Sequence, residues 1–229
     1  MNYELGKPVD VLDHGHIILR DITGNDWTIV EAARVSIGAG RKGETQDKRL
    51  INYLMRHRHE TPLEMADISL VVKCPIFVAR QWMRHRMASY NEISGRYVEL
   101  KEEVYIPENL RGASASNKQS SGAELHDEAL LDAYRYATNT ALETYRMLLE
   151  AGVAREMARA VLPVATYTEF WCKMNLRAAF NFISLRNAPD AQYEIRIYAA
   201  HIETMIAQYF PVVYEAWKNA RSSPTLTAG

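Results

Sequence analysis

Between positions 81 and 97 the chain reads Gln81, Trp82, Met83, Arg84, His85, Arg86, Met87, Ala88, Ser89, Tyr90, Asn91, Glu92, Ile93, Ser94, Gly95, Arg96, Tyr97. Three arginines, a histidine, a glutamate and two serines in one short stretch are more than a hydrophobic core can use. A guanidinium is a planar fork that grips phosphate through two parallel hydrogen bonds, a geometry lysine does not reproduce. With the helix running through Arg86, the spacing places Gln81, Arg84 and His85 on one face and Arg86 about 200° round from Arg84, so that one turn serves two anionic groups. Ser94-Gly95-Arg96 then has the make-up of an anion nest, in which the missing Gly95 side chain lets backbone N–H groups approach a phosphate. A solvated basic helix face followed by a turn is the plain alternative; the charge density and the adjacent Asn91 and Glu92 favour a site.

Two rival chemistries use other residues. His57, His59 and Glu64 cluster as zinc ligands do, but their spacing is not H-E-x-x-H and no second ligand group is evident, so no metal is expected. The arginines interleaved with Trp82, Tyr90 and Tyr97 resemble a stacking surface for single-stranded nucleic acid. Against that, 27 basic and 28 acidic side chains leave a net charge of -1, which gives no global field toward nucleic acid or an acidic membrane, and neither is an expected partner. Cys74 and Cys172 lie far apart without metal or redox spacing and read as small buried apolar groups in a reducing compartment. The opening Met1-Asn2-Tyr3-Glu4 has an early acid and no apolar run, so a signal peptide is not expected and the placement is cytoplasmic.

The elements that must hold these groups follow from periodicity. With 229 residues, 48% hydrophobic and 24% charged, one compact domain over 1–229 is expected. A strand over 11–21 precedes Thr23-Gly24-Asn25, which caps a helix bearing Trp27, Val30, Ala33 and Ile37. After a Gly-rich loop at 38–43, a helix over 45–58 turns Leu50, Ile51, Leu54 and Met55 inward and delivers His57, His59 and Glu60 to its exit. Ile68, Leu70, Val72 and Cys74 alternate along a half-buried strand over 66–74. Pro75 opens a helix over 76–86, and extended pieces follow at 97–100 and 104–106. The Ser- and Gly-rich stretch 112–122 reads as a mobile surface loop. Helices are expected over 125–150 and 153–162; Thr166-x-x-Glu169 reads as a capping box opening a helix to Arg186, which puts Cys172 inside it; a last long helix bears Ile195 to Tyr209. The result is an α+β fold, a small antiparallel or mixed sheet with a helix-rich second half.

Arg84-His85-Arg86, seven residues and then Ser94 resembles the R-H-R-x7-S signature of the flavin-dependent thymidylate synthases. The resemblance continues through Ala32-Ala33-Arg34-Val35-Ser36, His59-Glu60-Thr61-Pro62, Pro75 to Trp82, Arg159-Ala160-Val161-Leu162-Pro163 and Asn175-Leu176-Arg177, in order over nearly the whole chain. It implies methylation of dUMP with FAD, NADPH and 5,10-methylenetetrahydrofolate, in a homotetramer whose active sites are shared between subunits. The absence of G-x-G-x-x-G agrees with a flavin held outside a Rossmann fold.

By this resemblance Thr61, Arg84, His85, Arg86, Glu92, Asn175, Leu176, Arg177 and Asn181 hold the flavin, with Arg84, His85 and Arg86 neutralising much of its pyrophosphate. Arg177 and Asn181 are i, i+4 on one helix face, as a polar stripe at a helix interface would also be. The nucleotide falls on Gln81, Trp82, Met83, Arg84, Glu92, Ile93, Ser94, Gly95, Arg96, Arg159 and Arg186. Ser94 and Gly95 meet the phosphate, and Arg96 and Arg159 supply charge. Arg186, His59 and Ser94 belong to the catalytic set: Arg186 stabilises negative charge on the pyrimidine, His59 stands near the flavin, and Ser94 binds rather than attacks, since no histidine is placed as its base. A C-terminal helix charge is the alternative reading of Arg186. Hydride activation fits better than a thiolate, because neither cysteine has an electropositive, exposed setting. Asp190 stands where many family members have a histidine near the flavin, which alters contacts with the cofactor but not the reaction class.

Overall fold

A computed structural model of the chain describes residues 2–114, 117 and 120–222. A five-stranded, wholly antiparallel sheet forms its centre, in the order β1 (Pro8–Val11), β2 (Gly15–Thr23), β3 (Asp67–Pro75), β7 (Tyr167–Asn175), β4 (Ala88–Glu92). The expected opening strand over 11–21 is instead a hairpin, because the chain reverses after Val11, with Leu12 at a left-handed φ of 61°. Gly15 starts the return strand where no side chain fits: an added Cβ would lie 2.6 Å from the Val11 carbonyl and 2.8 Å from that of Lys73.

Alternation sets the faces. Ile68, Leu70, Val72 and Cys74 of β3 and Phe170, Cys172 and Met174 of β7 are buried, with Val72 opposite Phe170, Leu70 opposite Cys172 and Ile68 opposite Met174. This face packs on α3 (Ile76–Trp82), α6 (Leu176–Arg186) and α7 (Tyr193–Tyr209). The helices α1 (Asp26–Val35), α2 (Glu44–Arg56) and α8 (Pro211–Ser222) extend the core, and the buried Asp26 carboxylate accepts the Val213 N–H at 2.8 Å to join α1 to α8. Asn25 caps α1 as expected, accepting from the Trp27 and Thr28 N–H groups.

The stretch from Thr166 to Asn175 departs most from expectation. The apparent capping box does not start a helix; Tyr167–Asn175 is a strand, and Cys172 sits in the middle of the sheet. Two paired neighbours, β3 and β4, outweigh the local signal, since each supplies backbone hydrogen bonds along the strand. The helix is capped nine residues later than the motif suggests, at α6, where the Asn175 side chain accepts the Ala178 N–H at 2.9 Å.

Elsewhere, the Ser- and Gly-rich stretch is partly a two-stranded ribbon, β5 (Leu110–Ala113) with β6 (Ser121–Leu125). Residues 115, 116, 118 and 119 of the expected loop lie outside the described residues. The long helix α4 (Glu128–Glu150) is capped by Asp127, and 153–162 is only a short helix, α5 (Arg155–Ala158), with a 3-10 turn, Arg159–Val161. The expected extended piece at 97–100 is a turn and coil, and that at 104–106 is reduced to a single bridge, Val104 to Thr166.

Candidate active site

α3 ends at Trp82, so Arg84, His85 and Arg86 lie in the irregular link between α3 and β4 rather than on a helix. The shared helical face expected for Gln81, Arg84 and His85 is therefore not formed. A different arrangement takes its place. Arg186, the last residue of α6, donates from Nε to His85 Nε2 at 3.0 Å and from Nη2 to the Gln81 carbonyl at 3.1 Å. The link is also tied down by Tyr90, whose hydroxyl donates to the His85 carbonyl at 2.9 Å.

Electrostatics here favour an anionic guest. Burial, reinforced by the Arg186 charge, lowers His85 to a pKa of about 4, so the ring is neutral near pH 7. With Nε2 accepting from Arg186, the ring proton belongs on Nδ1, a donor with no partner among the described residues. A neutral His85 meets an anion with a hydrogen bond rather than a charge. Burial and the nearby Arg84 in turn lower the pKa of Arg186. Arg84 and Arg86 are exposed and have no hydrogen bond or ion pair among the described residues. Clustered guanidinium groups of this kind suit an anionic group such as a phosphate.

A second cluster follows β4. Thr168 donates to Glu92 at 2.6 Å, and the Ser94 carbonyl accepts from Tyr97 and Val98 while its hydroxyl oxygen accepts the Arg96 N–H at 3.3 Å. Gly95 is buried, and an added Cβ would lie 3.1 Å from both Arg159 Cδ and Leu100 Cδ1. Glycine is thus required by the close approach of Arg159 rather than by a left-handed backbone. Arg96 pairs with Glu156 at 3.3 Å, and Arg159 is exposed beside the turn.

The third cluster lies at the other end of β7. Arg58 occupies the position after the α2 C-cap with a φ of 54°, and the His59 N–H bonds to the Leu54 carbonyl and the Arg58 N–H to that of Met55, a Schellman motif without its usual glycine. It carries the exposed His59 toward Thr61, which opens the 3-10 turn Thr61–Met65. The rings of His57 and His59 pack on Tyr53. Arg177 donates to Glu60 at 3.0 Å and Glu64 at 2.6 Å, so its charge is balanced within the chain; Asn181 is exposed one turn later.

Several expected ligand-binding side chains are in the core. Trp82 and Leu176 are fully buried, Trp82 against Phe170, Phe182 and Tyr198; the Trp82 carbonyl accepts from the Tyr90 hydroxyl and the His85 N–H, and the Leu176 N–H is bonded to the Ala66 carbonyl. Met83 is half-buried and Ile93 exposed. Asp190 is exposed in the link between α6 and α7, and its carbonyl accepts from Ser120. Cys74 and Cys172 are sealed; burial raises the Cys74 thiol far above its ordinary value and pushes that of Cys172 up to about 12, which rules out a resting thiolate.

Sequence reasoning missed Gln192, Glu194 and Arg111. Gln81 donates to Gln192, Gln192 donates to the buried Glu194 at 2.9 Å, and Glu194 also accepts from Arg111 and from Tyr105. The available signal was a glutamate placed among the apolar residues that open α7.

An antiparallel sheet with one helical face, and an arginine cluster at the joint of α3, β4 and α6, define the class. The model of the thymidylate synthase complementing protein family matches residues 18–212. The chain is 52% identical over 210 residues to the flavin-dependent thymidylate synthase of Thermus thermophilus, covering 92% of this chain and 78% of that protein. It is 46% identical to that of Thermosipho africanus, over 90% of this chain and 92% of that one. A solved structure of the UMP/dUMP methylase PolB from Streptomyces cacaoi, bound with 5-Br dUMP, is similar with a TM-score of 0.84 and 35% identity, covering 94% of this chain and 100% of that one. This chain belongs to the flavin-dependent thymidylate synthase family.

Proposed function

We propose that the chain methylates dUMP to dTMP, with 5,10-methylenetetrahydrofolate as carbon donor and FAD reduced by NADPH as hydride donor. The observation that supports it most is the Arg84, His85, Arg186 cluster on Gln81. Bound FAD would supply hydride to the pyrimidine; the protein's part is to hold and polarise. Arg84 and Arg86 grip the cofactor's pyrophosphate, with His85 Nδ1–H as a neutral donor. Arg186, held by His85 and the Gln81 carbonyl, directs its remaining N–H groups to the base and stabilises the anion formed as the ring ionises. Ser94, Gly95, Arg96 and Arg159 hold the nucleotide phosphate. No enzyme nucleophile takes part, in keeping with the sealed cysteines.

The active site is shared between subunits of a homotetramer. Within one chain the interval from Thr168, beside the phosphate turn, to Asn175, beside the His59 and Thr61 group, spans roughly 23 Å of extended strand. Two ends of one ligand set that far apart meet when chains assemble. Exposed Val35, Ile37, Met87, Tyr97 and Tyr136 supply apolar surface for that assembly. No described helix is long and apolar enough to cross a membrane.

Purified protein is expected to be yellow and to form dTMP from dUMP, NADPH and methylenetetrahydrofolate. Arg86→Ala loses flavin, whereas Arg186→Ala keeps flavin and loses turnover. Colourless wild-type protein, or full flavin occupancy in Arg86→Ala, overturns the reading.

A further inference from the structure

The nucleotide-facing Gln81 ends a chain of hydrogen bonds whose direction is set at its far end. Glu194 is 2% exposed in the first turn of α7, where the helix N-terminus favours a negative group. Burial works to raise its pKa, but hydrogen bonds led by Arg111 outweigh it and hold the carboxyl below its ordinary value. An ionised carboxylate only accepts. Its Oε1 takes bonds from Arg111 Nη2 and from the Tyr105 hydroxyl at 3.1 Å, and its Oε2 takes the Gln192 Nε2 bond at 2.9 Å. With its amide nitrogen committed, Gln192 turns its carbonyl oxygen to Gln81, which donates from Nε2. Gln81 is left with Oε1 as its remaining side-chain acceptor; that oxygen has no partner among the described residues, and the side chain is half-buried.

We infer that Glu194, acting through Gln192, is a positioning residue that makes Gln81 present a hydrogen-bond acceptor, selecting an N–H or O–H donor on the bound nucleotide. The inference rests on the proposed dUMP site. A side-chain amide alone has two nearly isosteric orientations; the buried carboxylate removes that freedom.

Glu194→Gln reverses the chain rather than loosening it. Arg111 and Tyr105 still require an acceptor, so the new amide at position 194 turns its nitrogen to Gln192, both following amides turn over, and Gln81 presents NH2 where the ligand brings a donor. The dUMP dissociation constant of the flavin-loaded enzyme, measured by calorimetry, is expected to rise about tenfold. Adding Gln192→Glu to Glu194→Gln restores the direction, because the carboxylate introduced at position 192 accepts from both neighbours, and the affinity returns most of the way. A merely structural role for Glu194 predicts no such rescue. In steady state, KM for dUMP rises while kcat at saturating dUMP and flavin content hold. Gln192→Met, which leaves the Glu194 to Arg111 pair intact, serves if Glu194→Gln does not fold; it is expected to weaken dUMP about fivefold at unchanged melting temperature. Unchanged affinity in Glu194→Gln or Gln192→Met, or absence of rescue in the double variant, overturns the inference. Failure of the wild-type enzyme to bind dUMP overturns the proposed function instead, and is read from the first titration.

Discussion

Arg186 Nε donates to Nε2 of His85 at 3.0 Å, and the two side chains fix each other's state: burial first, and then the guanidinium charge, keep the imidazole neutral, and the imidazole accepts only while neutral. Titrated by NMR, His85 is expected to show a pKa of about 4, rising toward the ordinary 6.5 in Arg186→Gln as far as burial permits. The folded value lies below the unfolded one, so the His85 share of stability is complete above pH 6.5 and is lost as pH falls from there through 4. Discounted for its half-exposure, that share is about 1–2 kcal/mol. A His85 pKa at or above 6.5 in the wild type would mean that neither burial nor the Arg186 charge acts on the ring as the geometry implies.

Gly95→Ala tests the phosphate turn. The new Cβ meets Arg159 Cδ and Leu100 at 3.1 Å, tighter than ordinary contact, so the Arg159 side chain must give way by tenths of an ångström. Weakening of dUMP binding by about 1 kcal/mol is expected from one displaced charged hydrogen bond, with flavin content unchanged. Loss of flavin at intact dUMP affinity would place Arg159 on the cofactor instead.

Arg58 holds a left-handed backbone at a position that glycine commonly fills. Relief of that strain exceeds the entropy glycine adds to the unfolded chain, so Arg58→Gly is expected to stabilise by about 0.5–1 kcal/mol. Thermal melting decides this, and a lower midpoint would mean that the Arg58 side chain makes a stabilising contact in the assembled protein.

Cys172→Ala removes the better placed of two sealed sulfurs. The small cavity costs about 1 kcal/mol, and dTMP formation by the folded variant should persist at wild-type order. Abolished turnover with flavin and dUMP still bound would demand a covalent role for this thiol.

Much of this was legible in the residues. Ile68, Leu70, Val72 and Cys74 disclosed β3 because one face of that strand is buried and the other is not. In the stretch from Gln81 to Arg96 the composition marks the exposed Arg84, Arg86 and Arg96 as surface groups, but not that Trp82 among them is a fully buried core residue. Illegible was everything decided by a distant partner. Thr166 to Asn175 carries a plausible helix start, and only pairing with β3 and β4 turns it into a strand. In the sequence Arg177 shares a polar helix face with Asn181, and nothing local shows that Glu60 and Glu64, over a hundred positions away, stand beside it in the fold. The Arg84-His85-Arg86 segment is in fact supported from α6, since Arg186 and His85 meet across 101 positions.

The place of β7 between β3 and β4 bears on how the chain is made. During synthesis from the N-terminus, β3 emerges with one edge unpaired and its oily stripe of Ile68, Leu70 and Val72 only partly covered, and the strand that seals it is completed at Asn175. At ribosomal speeds of roughly 5–20 residues per second, that gap lasts about 5–20 s. A nascent chain of this topology carries an unpaired apolar strand edge for that time, and slowed translation across α4 lengthens it.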